Sequence, residues 1–131
     1  MEIRQRSERY QAIADRLIDE CERFARIKGS RCRIGVLESD YAKTSKGRTV
    51  FAECEKVPSK YLWAVPFDFT ITVFAPNVER FDAGQLEVLM HHELLHVGID
   101  RDGNEETDRV VPHDIEDFRE VIDKWGMDWA G

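Results

Sequence analysis

The sequence predicts a single small α+β domain, in which a small sheet packs against helices in the order α-β-β-β-α-α. The first observation is the length, because 131 residues leave room for one domain, taken here as residues 1–131. The second is the composition, since 42% apolar and 34% charged residues are typical of a globular folded chain. The third is periodicity: apolar residues recur every three to four positions near both ends and alternate with polar residues in the middle.

The first predicted element is one long amphipathic helix that ends at Gly29, a residue type suited to a helix C-cap. Arg and Glu residues fill the face opposite its apolar stripe, so we expect the stripe to lie in the core. The stripe consists of Tyr10, Ile13, Ala14, Leu17, Cys21, Phe24 and Ala25.

Three predicted strands follow, joined by segments rich in turn-forming residues. The first covers residues 33–37 and the second residues 49–54, with a connection over 41–48 between them. The third covers residues 67–74, where apolar and more polar residues alternate, and its apolar face should cover the core. That face holds Phe67, Phe69, Ile71 and Val73.

Two helices complete the predicted fold. Asp82 and Gln85 have the spacing of a capping box at the start of the first of them. We expect this helix to continue through Val97 and to end with Gly98 as its C-cap. After a polar stretch, apolar residues return at helical spacing and predict the second helix over residues 115–125.

The net charge of −7 argues against a dedicated nucleic-acid binder, whose affinity depends on neutralising phosphates. The charge is unevenly distributed along the chain. Residues 1–60 contain 14 Lys and Arg against 10 Asp and Glu, whereas residues 61–131 contain 5 against 16. A basic first half of this kind indicates either a solvated surface or a face for an anionic partner.

The sequence further predicts a cytoplasmic protein without membrane association. No window approaches the roughly 20 apolar residues that cross a bilayer, and the charged first ten residues lack the apolar core of a secretory signal. The cysteines are odd in number and include no C-x-x-C pair, so we expect free thiols in a reducing compartment. They are Cys21, which we expect in the core, Cys32 and Cys54.

The strongest functional signal is the H-E-x-x-H motif formed by His92, Glu93 and His96 inside the first of these two helices. Two histidines four positions apart on a helix project from one face, so their imidazoles can converge on one ion. Zn²⁺ is the natural candidate because it prefers nitrogen ligands and can leave a position for water. Glu93 follows the first histidine and is placed to act as a general base toward that water. His91 should point away from the metal, because its partner four residues on is Leu95.

A site with two histidines needs a third protein ligand, and His113 is the best candidate. It precedes the last predicted helix and is the only histidine left besides His91. A metzincin pattern would need Gly at position 99 and His at position 102, where this chain has Ile and Asp. Four carboxylates remain as alternatives to His113, and two others could orient it through a hydrogen bond. The alternatives are Asp100, Asp102, Glu116 and Glu120, and the orienting candidates are Asp114 and Asp117.

Three blocks of the sequence resemble the putative phage metallopeptidase family. They cover residues 66–74 (PFDFTITVF), 92–98 (HELLHVG) and 112–118 (PHDIEDF), in that order along the chain. The family is similar in layout to SprT-like zinc-dependent peptidases, and the resemblance covers at least residues 60–125.

The resemblance implies a minimal zincin-like fold in which the two histidines of the motif and a later histidine hold zinc. Those roles fall here on His92, His96 and His113, with Glu93 as the general base. A phage or prophage origin is implied as well, and with it the cytoplasm of a bacterial host.

We therefore predict a zinc-dependent metallopeptidase that hydrolyses a peptide or protein substrate. Two alternatives stay open: a non-catalytic zinc-binding adaptor, whose ion would have a fourth protein ligand, and a zinc amidase that acts on peptidoglycan peptides. Zincins bind an extended peptide along an edge strand, so we expect residues 67–74 to form that edge, with a buried central strand as the alternative. The candidates for stabilising the oxyanion, none of them favoured, are Tyr41, Tyr61, Arg101 and Arg109.

Overall fold

The first helix is interrupted where the sequence predicts continuity. The structure, a computed structural model, describes residues 1–98 and the backbone of residues 109–110. Helix α1 spans Glu8–Glu20 and ends because Cys21 adopts an extended backbone, with φ −97° and ψ 119°. A 3₁₀ turn at Glu22–Phe24 and the short helix α2 at Ala25–Gly29 follow. The prediction of one unbroken helix is therefore wrong.

The break has a packing reason. It turns the chain so that Phe24 becomes fully buried and lies against the ring of His91, with 4.9 Å between ring centroids. Ile27 of α2 is buried in the same core. Burial of two large side chains stabilises the fold by several kcal/mol at about 1.5–3 kcal/mol each, which outweighs the helical hydrogen bonds lost at Cys21.

Four strands form the main sheet, in the order β1-β2-β6-β5. The two inner strands are parallel to each other, and each outer strand is antiparallel to its neighbour. This confirms the α+β fold class, with α1 and the later helix α3, at Ala83–Leu94, packed on one face of the sheet. The strands are β1 at Arg4–Arg6, β2 at Ile34–Ser39, β5 at Ala52–Lys56 and β6 at Phe69–Phe74.

Strand β1 is absent from the prediction because its sequence is entirely polar and exposed. It joins the sheet through backbone pairing with β2, in which Arg4 lies opposite Ser39. Its arginines then cover the sheet face that the helices leave open. The Arg4 guanidinium donates a hydrogen bond to Thr72 Oγ1 at 3.2 Å and lies 5.7 Å from the centroid of the Phe74 ring.

The expectation that residues 67–74 form the edge of the sheet is wrong. Strand β6 lies between β2 and β5, and both of its faces are buried. Phe69 and Ile71 face the helices, whereas Thr72 is buried beneath Arg4 on the opposite face. Among the described residues, the edge strand beside β6 is β5, with Cys54 opposite Ile71.

The predicted connection over 41–48 contains a small hairpin, formed by β3 at Thr44–Ser45 and β4 at Arg48–Thr49. Lys46 and Gly47 at its tip both have positive φ, 52° and 77°. Positive φ at both central residues is the geometry of a two-residue type I′ turn, which suits the twist of two short strands and favours glycine at the second position.

Helix α3 spans Ala83–Leu94 and carries the motif in its last turn. The predicted capping box is confirmed: the Asp82 side chain accepts a hydrogen bond from the Gln85 N–H at 2.8 Å, and the Gln85 side chain accepts one from the Asp82 N–H at 3.0 Å. The predicted end is wrong, because Gly98 does not cap this helix. It belongs instead to a short strand, β7 at Val97–Gly98, which pairs with β8 at Arg109–Val110.

None of the helices in the described part of the chain is both long and apolar enough to cross a membrane. The helix predicted over 115–125 lies outside the described residues. The three cysteines, all within residues 1–98, form no disulfide bonds and are partly buried, and Cys21 packs against the core.

Candidate metal centre

The last turn of α3 brings His92, Glu93 and His96 together. One ligand atom from each of these side chains lies within 4.8 Å of the others. The two imidazole rings have their centroids 5.2 Å apart and are nearly perpendicular, at 80°. Two nitrogen donors and a carboxylate oxygen in so small a volume can hold one metal ion.

The backbone explains how His96 reaches the group although α3 ends at Leu94. The His96 N–H donates a hydrogen bond to the Glu93 carbonyl at 3.1 Å, a bond between residues three apart. Bonds of this kind tighten the final turn of a helix. His96 therefore stays on the same side as His92, one turn later.

Burial sets the electrostatics of this group. Glu93 is 5% exposed and His96 is 8% exposed, whereas His92 is half-buried. Burial and, as a smaller cause, the negative charge of Glu53 together raise the pKa of the Glu93 carboxyl to about 8. A carboxyl with a pKa near neutrality exchanges protons readily at physiological pH, as a general base must.

One carboxylate oxygen of Glu93, Oε2, is buried and has no hydrogen-bond partner within residues 1–98. Burying an acceptor without a partner costs about 1–3 kcal/mol. Proteins retain such an oxygen where a ligand provides the missing interaction. A cation bound beside the two imidazoles would provide it for Oε2. The donor set fits a divalent transition metal ion, since imidazole suits Zn²⁺ and several of its neighbours in the first row.

Strand β5 contributes a neighbour that the sequence does not reveal. Cys54 packs against the core beneath α3, and burial raises the pKa of its thiol, with the negative charge of Glu93 as the next cause. The raised pKa keeps the Cys54 thiol uncharged in the neighbourhood of Glu93. The sequence predicts only a reduced thiol here, because no spacing pattern links positions 54 and 93.

His91 behaves as the motif spacing predicts. It is 1% exposed, packs against Phe24 and is not among the residues that cluster with His92. Its role in the structure is to fill the core between α3 and the segment that follows α1.

Several predicted site residues lie outside the described residues, so the structure does not place them. The third ligand candidate His113 is one of them, as is Arg101, and only the backbone of Arg109 is described. Tyr41 follows β2 at the end of the sheet where β6 finishes. The other residues outside the described part are Asp100, Asp102, Asp114, Glu116, Asp117 and Glu120.

Comparison with known proteins identifies the family. No curated protein and no solved structure matches the chain. A model of the family described as "Putative phage metallopeptidase" matches residues 4–131, a range that includes the whole cluster at the end of α3. A metallopeptidase family implies a bound metal ion and a peptide or protein substrate. The chain belongs to the putative phage metallopeptidase family.

Proposed function

We propose that this protein is a zinc-dependent peptidase in which His92, His96 and His113 bind the metal and Glu93 acts as the general base. The observation that carries the proposal is the cluster at the end of α3, with ligand atoms of His92, Glu93 and His96 within 4.8 Å of one another. If Glu93 is the base, the cluster supplies two protein ligands, and a catalytic zinc site commonly has three.

Chain connectivity supports His113 as the third ligand. In the two-stranded sheet of β7 and β8, Val110 lies opposite Val97, which directly follows His96. The three residues from Val110 to His113 can span at most about 11 Å. His113 is therefore within covalent reach of the two motif histidines, and its imidazole matches theirs in chemistry.

Zinc supplies Lewis acidity: when bound, it polarises a carbonyl oxygen and lowers the pKa of water. The remaining chemistry belongs to Glu93. Its carboxylate takes a proton from the attacking water as the oxygen bonds to the scissile carbonyl carbon, and it then delivers that proton to the leaving amine as the C–N bond breaks. Oε2 of Glu93 accepts no hydrogen bond from residues 1–98. It can therefore accept and donate the proton in both transfers without first losing another partner.

The substrate would lie beside β5. Among the described residues, β5 forms ladder hydrogen bonds on one side only, and β8 lies within 8 Å of part of the strand without pairing with it. The core-facing Cys54 of β5 is near enough to Glu93 for the carboxylate charge to raise the pKa of its thiol. An extended peptide can add to such an edge through main-chain hydrogen bonds, largely independent of its sequence.

The test compares wild-type protein with Glu93→Gln, both stripped of metal and reloaded with one equivalent of Zn²⁺. Elemental analysis measures zinc per chain, and two substrates, labelled casein and cross-linked peptidoglycan, report hydrolysis. We expect one zinc per chain in both proteins, cleavage of casein by the wild type, and a rate about 10²–10⁴-fold lower in the variant.

Each other outcome identifies an alternative. Loss of zinc from Glu93→Gln in proportion to the loss of rate would make Glu93 a ligand rather than a base. Cleavage of peptidoglycan alone would support the amidase alternative. Tightly bound zinc with no hydrolysis of either substrate by the wild type would support a non-catalytic adaptor.

A further inference from the structure

An aromatic turn protrudes from the sheet between β5 and β6. We define it as residues 58–66, and it exposes Trp63 at 86% and Tyr61 at 48%. Exposed Trp of this degree is uncommon on a folded surface, since the indole is among the largest apolar groups available for burial. The two rings lie two positions apart on one turn and expose apolar area that a ligand side chain could cover, with the Lys60 ammonium 5.1 Å from the centroid of the Tyr61 ring.

The turn is held in place. The Val57 N–H donates to the Asp68 carbonyl at 2.9 Å and closes the base of the segment. The Tyr61 N–H donates to the Pro58 carbonyl, and the Tyr61 carbonyl accepts from the N–H groups of Ala64 and Val65, all within 3.0 Å. Because the backbone is already ordered, a ligand that contacts the turn would pay little entropy to organise it.

Its position connects it to the candidate metal centre. The turn starts directly after β5 and returns into the first residues of β6. Strand β5 contacts α3, Cys54 of β5 is near enough to Glu93 to feel its charge, and Val57 at the base of the turn follows three positions after Cys54. At about 3.3 Å per strand residue, three positions correspond to roughly 10 Å along the edge of the sheet.

We propose that the aromatic turn is a specificity site, in which Trp63 and Tyr61 bind an apolar or aromatic side chain of the substrate peptide about three residues from the scissile bond. This inference rests on the proposed peptidase function. A peptide extended beside β5, with its scissile bond near Glu93, continues toward the turn. Main-chain pairing with β5 would be indifferent to sequence, so selection requires side-chain contacts of this kind.

The test uses the full-length zinc-loaded protein and a library of peptides from a proteome digest, with cleaved bonds identified by mass spectrometry. Wild type is compared with Trp63→Ala and with the control Ile3→Ala. Ile3 is likewise an exposed apolar side chain, at 60%, but it precedes β1, at the opposite edge of the sheet from β5. Zinc content and thermal unfolding are measured for all three proteins.

In the wild type we expect Phe, Tyr, Trp and Leu to be enriched at one position within about four residues of the cleaved bond. Trp63→Ala should lose that enrichment, with kcat/KM for the preferred peptides about tenfold lower, while zinc content and unfolding temperature stay unchanged. Ile3→Ala should match the wild type. Cleavage with the same preference by Trp63→Ala would overturn this inference and leave the proposed function intact. A library left uncut by the zinc-loaded wild type would overturn both.

Discussion

The two ends of α3 are built in opposite ways. At its start, the side chains and backbone N–H groups of Asp82 and Gln85 satisfy each other, and both side chains remain in contact with water. At its end, Glu93 is buried beside two imidazoles, and its Oε2 has no hydrogen-bond partner in residues 1–98. The capping residues of the first turn form hydrogen bonds with each other. In the last turn, Oε2 of Glu93 has no such partner in residues 1–98 and could contact a bound metal ion.

This difference indicates where stability and function reside. A satisfied cap lowers the free energy of the folded state whether or not a ligand is present. A buried carboxyl with a raised pKa opposes folding when it is charged, and natural proteins retain such local conflicts mainly at functional sites. The contrast yields predictions in which changes at the end of α3 affect metal binding and changes at its start affect only stability.

The largest effect is expected from His96→Ala. If His96 is one of the three proposed zinc ligands, its removal should lower zinc affinity by more than about 100-fold, because even outer partners of metal ligands contribute 10–100-fold. Competition with a chromogenic zinc chelator measures the affinity. Asp82→Ala is the matched control at the opposite end of α3, and its zinc affinity should equal that of the wild type. An affinity loss shared by both variants would indicate general destabilisation instead.

His113→Ala should give a loss of zinc affinity of the same order as His96→Ala. The same chelator competition applies, and a double variant tests whether the two histidines act on one ion. If they do, the double variant should lose far less than the two separate losses combined, since a site already deprived of one ligand binds weakly. Wild-type affinity in His113→Ala would assign the third ligand to another residue.

The next effect concerns the stability of the metal-free protein. The folded-state pKa of Glu93 is about 8, raised by burial above its ordinary value of 4.5. The folded state therefore holds a proton that the unfolded chain releases, and its stability falls as pH rises from about 4.5 through 8. Glu93→Gln has no ionisable group at this position, so its stability lacks this contribution to the pH dependence. The stability advantage of the chelator-treated variant over the wild type should be about 4 kcal/mol larger at pH 9 than at pH 5, since each unit of pKa shift corresponds to about 1.4 kcal/mol.

Urea unfolding at the two pH values measures this difference. Comparing the variant with the wild type at each pH removes the contribution of the other titrating groups. A difference that stays constant between pH 5 and pH 9 would show that Glu93 does not carry a shifted pKa in the metal-free protein.

The sequence predicts the features of α3 that depend on neighbours along the chain. The capping box needs only the spacing of Asp82 and Gln85, and the motif needs only the spacing of His92 and His96. Both follow from the pitch of a helix, which every helical sequence shares. The fold class follows in the same way, from local periodicities of helices and strands.

What the sequence does not predict depends on contacts between distant residues. The position of β6 inside the sheet results from strand order, and its alternating pattern would suit an edge strand equally well. The break at Cys21 arises because Phe24 finds a place against His91, 67 positions away along the chain. The proximity of Cys54 to Glu93 likewise requires the sheet to be assembled. No local pattern records any of these contacts.

The smallest expected effect lies at the start of α3. Asp82→Ala removes the side chain that accepts the Gln85 N–H, and loss of such a cap costs about 1 kcal/mol. Gln85→Ala removes only the reciprocal bond, at 3.0 Å and exposed to water, so its cost should be smaller, about 0.5 kcal/mol. Urea unfolding measures both. Because the cap acts within the first turn alone, zinc affinity should stay at the wild-type value in each variant. A cap variant that lost metal as well as stability would show that the two ends of α3 are coupled, and the contrast between them would not hold.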